Sequence, residues 1–245
     1  MRYGGDFRLI PAMGESTGAL VGGSCPLGLY ARPMGKKTTR LHIFRHGQVA
    51  DPWPGMIYGC LDVPLSEEGH RQALWAARSL QGVELEAVIS SGLQRAETSA
   101  AHLREERGLD RRDEERLVEI NRGSWAGLTP AQVNELQPGG FQAWTTSSGL
   151  LAPPGGETVQ AMAERVGPKL LELAEEHVGS TIAIVAHMWV VRIALCMGLG
   201  RPWQDTAQLR VGTGARTDFE WTASDGLRFL GADAPEGSGV EIDAG

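Results

Sequence analysis

The sequence predicts an α/β protein of three layers, a mostly parallel sheet covered by helices on both faces. Two observations carry this. Short apolar runs at residues 41–44, 87–90 and 181–186 are separated by longer stretches with helical periodicity. Strands that alternate with helices pair in parallel and bury both faces. A third observation concerns the last part of the chain. Residues 216–222, a turn at Asp225-Gly226 and a strand from Leu227 read as a hairpin, which can add an antiparallel edge.

The elements follow in order. Residues 1–38 carry repeated glycines and Pro11, Pro26 and Pro33, which interrupt every periodic pattern. They read as an irregular or disordered extension. A nucleotide-binding loop is the functional alternative, but no strand–GxxxxGK[ST]–helix pattern is present. A domain over residues 39–231 is expected, followed by a flexible tail over 232–245. Its first strand ends on Arg45-His46-Gly47, where glycine permits a sharp turn. A long loop, 48–64, leads to Ser66, an N-cap with Glu67 and Glu68 in the first turn. That helix runs to about Leu80, with Ala73, Leu74, Ala77 and Leu80 as its apolar face. A strand at 87–90 precedes a helix at 93–107. The mixed-charge segment 105–116 reads as solvated surface. Residues 117–120 read as a brief extended piece, and Thr129-Pro130 opens a short helix. Glu157 leads into a long helix to about His177. The strand 181–186 then runs into His187 and a helix through Gly198.

Composition bounds the function. Hydrophobic residues are 42% and charged residues 22% of 245, as in ordinary globular domains. The net charge of −7 disfavours nucleic acid and anionic membranes as partners. Cys25, Cys60 and Cys196 lack CxxC spacing, which argues against a disulfide framework and fits a reducing, cytoplasmic compartment. No apolar run reaches the length of a membrane span, and no secretory signal is expected. His42, His70, His102 and His177 show no ligand spacing, so no metal site is expected.

Two strands end in histidine, at His46 and His187. As parallel neighbours they would bring both imidazoles to one edge of the sheet, where α/β proteins bind ligands. His187 also stands before a helix N-terminus, which favours an anion. Arg95 lies in the first turn of the helix after the 87–90 strand, on the same rim. Arginine forks hold phosphate oxygens, and a neutral imidazole can attack phosphorus. Arg45, Arg95 and a protonated His187 would neutralise the transferring group. Glu119 would protonate the leaving oxygen and then activate water. Glu157 is a rival carboxylate, for which a role at a helix N-terminus or in support of the site residues is expected. Arg192, one helical turn beyond His187, reads as a structural salt-bridge partner. The tryptophans read mostly as core, with Trp53 a pocket-lining exception.

These residues fall in a familiar order. Arg45-His46-Gly47 and the loop from Tyr58-Gly59-Cys60-Leu61-Asp62 to Gly69 resemble the opening of the histidine phosphatase superfamily, the phosphoglycerate-mutase-like proteins of branch 1. Ser90-Ser91-Gly92-Leu93-Gln94-Arg95, Leu117-Val118-Glu119, Pro154-Gly155-Gly156-Glu157-Thr158 and Val185-Ala186-His187 resemble its later signatures. The resemblance spans about residues 40–230. It implies the phosphoglycerate-mutase-like fold, His46 as the phosphorylated nucleophile, Arg45, Arg95 and His187 as the phosphate pocket, and Glu119 as proton donor. It implies no metal and no cofactor. Departures stand at Gln48, Pro52, Ala126 and Met188, where relatives often carry glutamate, asparagine, glutamate and glycine.

The expected function is a metal-independent phosphomonoesterase for a small phosphorylated metabolite. The loop at 57–66 looks most like the α-ribazole phosphatase and broad-specificity branches. Gln48, Tyr58, Gly59 and Met188 are the candidate substrate contacts. A phosphoglycerate mutase is the alternative, although mutases of this fold usually carry a longer insertion than residues 125–158 provide. A non-catalytic phosphate-binding protein is the third reading. Whether the chain forms a homodimer is left open.

Overall fold

The computed structural model describes residues 37–147 and 149–242. The expected N-terminal extension therefore lies outside the described residues, apart from Lys37 and Thr38.

β1 (Thr39–Arg45) is followed by α1 (Glu67–Ser79), whose N-cap Ser66 accepts a hydrogen bond from the Gly69 N–H at 3.0 Å. The buried face of α1 is small, with Ala73, Ala76 and Ala77, and Leu80 at its end. Leu74, expected on that face, is 41% exposed, because one residue rotates the side chain about 100° around the helix. β2 (Ala87–Ser90) and α2 (Gln94–Glu105) come next. β3 (Arg112–Asp113) pairs in parallel with β2 inside the charged segment. That segment is not only solvated surface: Glu114 holds the buried Lys169 at 2.7 Å. Residues 117–120 are not a strand. Leu117 closes a 3-10 turn (Glu115–Leu117), and the chain continues irregularly through Glu119. The sheet edge is already occupied by β3, so these residues have no partner strand.

α3 (Pro130–Leu136) starts from a complete capping box at Thr129 and Gln132. α4 (Gly140–Thr146), not anticipated from the sequence, follows directly. α5 (Val159–Glu176), β4 (Thr181–Ala186) and α6 (Met188–Leu199) lie where the periodicity put them. β5 (Leu209–Val211), β6 (Arg216–Thr222) and β7 (Gly226–Asp233) complete the sequence up to the expected tail. The chain does not end its regular structure at residue 231. β8 (Val240–Ile242) pairs antiparallel with β5, because Val240 and Ile242 pack against the main core.

The main sheet has the order β3-β2-β4-β1-β6-β7. β3, β2, β4 and β1 are parallel, and the β6–β7 hairpin adds an antiparallel edge beside β1. Strand alternation sorts side chains to two cores. Leu41, Ile43, Ile182, Ile184 and Ala186 face α5 and α6, while Phe44, Ala183 and Val185 face α1 and α2. The sheet is thus a middle layer, and the carboxyl ends of β1, β2 and β4 open on one edge.

Candidate active site

β1 and β4 pair with Arg45 opposite Ala186, so the next residue of each strand is a histidine beside a histidine. The His46 N–H donates to the Ala186 carbonyl at 3.0 Å, and the two rings stand 5.2 Å apart in an edge-on contact. Both side chains are essentially inaccessible. His46 Nδ1 lies 2.7 Å from the Gly47 carbonyl and donates to it. Nε2 then carries the free lone pair, and it accepts from Arg95 Nε at 3.2 Å. These two bonds assign one tautomer. Gly47 is required by close approach: a Cβ there would stand 2.3 Å from the Gly69 carbonyl oxygen. His187 caps α6, its Nε2 lies 2.6 Å from Ser91 Oγ at the end of β2, and its buried Nδ1 has no partner among the described residues.

Arg95 is fully buried in the first turn of α2. Its Nη1 donates to the Leu61 carbonyl and its Nη2 to the Gly59 carbonyl, each at 2.7 Å. It also lies 5.0 Å from the centre of the Tyr58 ring. Asp62 Oδ1 accepts from the Gln94 N–H at 2.6 Å, so the same loop caps α2 where Leu93 offers no side-chain cap. Arg95 uses three of its five N–H groups here, and two donors remain. Arg45 Nη1 donates to the Val211 carbonyl at 2.5 Å, and its buried Nε has no partner among the described residues.

Glu119 is 6% exposed, on the irregular segment after the 3-10 turn. Its Oε1 accepts from the Ile120 N–H at 2.9 Å. The segment is held from outside. Arg165 on α5 donates to the Arg116 carbonyl at 2.8 Å and grips Glu157 through Nε and Nη2 at 2.7 and 2.9 Å. Glu157 in turn accepts from the Asn121 N–H at 3.3 Å. The rival carboxylate is therefore a strut for the segment that carries Glu119. Gly123 has φ +51°, and a Cβ there would meet the Pro154 carbonyl oxygen at 2.2 Å.

Burial, with Arg95 and Arg45 nearby, pushes the His46 pKa well below its ordinary 6.5. Burial, then Arg95, His46 and Arg45, does the same to His187. The free site thus holds two neutral imidazoles at neutral pH. The protonated His187 expected opposite a transferring phosphoryl group requires that anion beside it. Burial also lowers the Arg95 pKa, with Glu119 opposing.

A cavity of about 400 Å³ opens beside this cluster, lined by Arg45, Tyr58, Gly59, Glu119 and Met188 among others. Of the expected substrate contacts, Gln48 stands apart. Its carbonyl accepts from the Ser66 N–H at 2.9 Å, and its exposed side chain bonds Ser66 Oγ, so it secures the start of α1. Trp53 is not among the lining residues; Trp144 and Trp189 are. Two further lining residues were missed as site residues. Arg192 makes no ion pair among the described residues, against expectation, and lies 4.9 Å from the Trp189 ring. The Arg122 guanidinium carbon lies over the Trp144 ring at 4.2 Å and the Trp189 ring at 5.6 Å. Arg192 left one signal, a lone charge in the apolar run of α6. Arg122 left none, since its partners are remote in sequence. No helix among the described residues is long and apolar enough to cross a membrane.

Comparison with known proteins places this geometry. The chain is 31% identical over 161 residues to phosphoserine phosphatase 1 of Hydrogenobacter thermophilus, covering 66% of this chain and 76% of that one. The native structure of mycobacterial glucosyl-3-phosphoglycerate phosphatase superposes with a TM-score of 0.71 at 31% identity, over 80% of this chain and 98% of that chain. A 2,3-bisphosphoglycerate-dependent phosphoglycerate mutase of Bartonella tribocorum is 33% identical over 168 residues, 65% of this chain and 80% of that one. The profile of the histidine phosphatase superfamily (branch 1) matches residues 41–229, a span that holds both strand-end histidines, and the chain belongs to that superfamily.

Proposed function

We propose that this protein hydrolyses phosphomonoesters of a small metabolite through a phosphohistidine formed on His46. The observation that carries the reading is the state of His46: neutral, desolvated, Nδ1–H bonded to Gly47, and Nε2 aimed along the Arg95 Nε–H. The phosphatase names of the relatives support the same chemistry.

In this reading the phosphoryl group displaces the weak Arg95–His46 bond. Arg45 and the free Arg95 donors take its non-bridging oxygens, and the dianion draws a proton onto His187. Nε2 of His46 attacks phosphorus as the P–O bond to the leaving group breaks, and Glu119 gives that oxygen its proton. Water then attacks the phosphohistidine. Glu119, now a carboxylate, takes the water proton, the P–N bond breaks, and inorganic phosphate leaves. The Arg165–Glu157 strut keeps Glu119 in place for both steps.

Transfer between positions of one substrate, as in the mutase relative, is the second reading. Residues 125–158 add only the two short helices α3 and α4, little to hold a phosphoenzyme away from water, so hydrolysis is favoured. The sparse cysteines, with Cys60 and Cys196 unpaired among the described residues, support a cytoplasmic setting. The test is phosphate release from p-nitrophenyl phosphate and a panel of sugar, nucleotide and glycerate phosphates, with chelator present. Wild type releases phosphate and His46→Ala does not; release that persists in the variant overturns the reading.

A further inference from the structure

The cavity beside Glu119 contains more positive charge than one phosphate requires. Arg45 and Arg95 match a phosphoryl dianion. Arg122 and Arg192 line the same cavity, and neither side chain forms an ion pair or hydrogen bond among the described residues. Their company is aromatic. Arg122 lies over Trp144 and Trp189, and Arg192 lies over Trp189. A guanidinium held over an aromatic face keeps N–H groups at its edge for other partners. That edge is the part that binds a carboxylate or phosphate in bidentate fashion.

The charge balance points the same way. Burial lowers the pKa of both arginines, that of Arg192 to about 10, and Glu119 is the carboxylate that opposes this in each case. One carboxylate thus serves three guanidiniums, Arg95 included. When Glu119 acts as a proton donor it is neutral, and Arg122 and Arg192 are uncompensated. Partly buried cations with no ionic partner carry a desolvation cost that an arriving anion would offset. Further donors lack partners nearby: Arg192 Nε, Trp144 Nε1 and Trp189 Nε1 are all buried and unsatisfied. The surplus consists of donors alone, which excludes an ordinary apolar subsite.

We propose that Arg122 and Arg192 form a second anion subsite, so that the substrate is a phosphomonoester carrying a further carboxylate or phosphate group. The proposal rests on the phosphatase reading above and names its substrate class. It makes Arg122 and Arg192 specificity-determining residues.

The test compares esters that differ in one anionic group: 3-phosphoglycerate against glycerol 3-phosphate, and fructose 1,6-bisphosphate against fructose 6-phosphate. The full chain is used, and kcat/KM gives the preference for the member of each pair that carries the extra anionic group. Binding of the same pairs to His46→Ala by titration calorimetry gives the preference without turnover. The expected result is a preference of tenfold or more in one pair, carried mainly by KM. The glycerate pair reports a carboxylate in the subsite and the fructose pair a phosphate. R122Q and R192M should each reduce that preference at least fivefold, with folding checked by circular dichroism. No preference in either pair for wild type overturns the proposal without any variant. A preference that both folded variants retain also overturns it. If no ester is hydrolysed, the phosphatase reading fails, and the calorimetric preference still decides the subsite.

Discussion

Arg95→Lys separates charge from geometry in the phosphate pocket. The substitution keeps one positive charge but replaces a planar fork with a single ammonium. Arg95 donates through Nε to His46 and through Nη1 and Nη2 to the Leu61 and Gly59 carbonyls. Lysine is shorter in reach across these three points and cannot hold them together. Lysine can keep one of the two carbonyl bonds and the 3.2 Å bond to His46 is weak, so the net loss is about one strong hydrogen bond to a charged group, roughly 1.5–3 kcal/mol. For a domain of this size that lowers the melting temperature by about 5–10 °C. Activity falls further. The variant loses bidentate phosphate binding and releases His46 Nε2, and misplacement of a reacting group by about 1 Å costs about 10²-fold. The combined loss in kcat/KM toward p-nitrophenyl phosphate is about 10³-fold, measured beside a thermal melt. A folded R95K that keeps more than about a fifth of wild-type kcat/KM refutes the claim that fork geometry, rather than charge, organises the site.

Other outcomes follow from the same geometry. His46 is the nucleophile as the neutral imidazole, and its pKa lies well below 6.5, so kcat/KM should hold its full value as pH falls through 6.5; an acid limb at or above 6.5 contradicts this. The same shifts affect stability. His46 and His187 bind protons near 6.5 when unfolded but only at lower pH when folded, so stability is complete above 6.5 and declines below it. Thermal melts of His187→Gln should depend less steeply on pH in that window than those of wild type. Glu119→Gln should lower kcat/KM, which reports transfer to the enzyme, about 10²–10⁴-fold for alkyl phosphate esters and much less for p-nitrophenyl phosphate, since that leaving group departs without a proton; equal losses in kcat/KM would remove Glu119 from the acid role. Arg165→Met should release the 116–121 segment and lower kcat by about 10²-fold or less, with KM little changed. A rise in KM alone would place Arg165 in substrate binding instead.

Most of the sheet was legible because strand burial leaves a direct trace. The apolar runs of β1 and β4 each end in histidine, and parallel pairing alone brings those histidines together. Arg95 was legible for a similar reason, as the first turn of a helix after a strand. Glu119 lines the cavity beside Arg45, but on an irregular segment rather than the expected extended piece. Its neighbours Leu117 and Ile120 are fully buried, and an irregular buried segment has the same apolar signature as a strand. The true edge strand, β3, was hidden because Arg112 and Asp113 look like surface. Gln48 was misjudged because adjacency to the Arg45-His46-Gly47 turn does not say which way a side chain points. The sequence also concealed Arg122, whose environment is built from Trp144 and Trp189 on two distant helices. Tertiary packing creates that site, and no local pattern records it.

The central claim is that phosphate passes through His46. The direct measurement is a rapid quench of wild type with a radiolabelled phosphomonoester into alkaline denaturant, which preserves a phosphoramidate, followed by peptide mapping. The account predicts label on the peptide that contains His46, appearing before steady-state phosphate release and absent in His46→Ala. Turnover with no labelled protein at any time, or label on another residue, contradicts it.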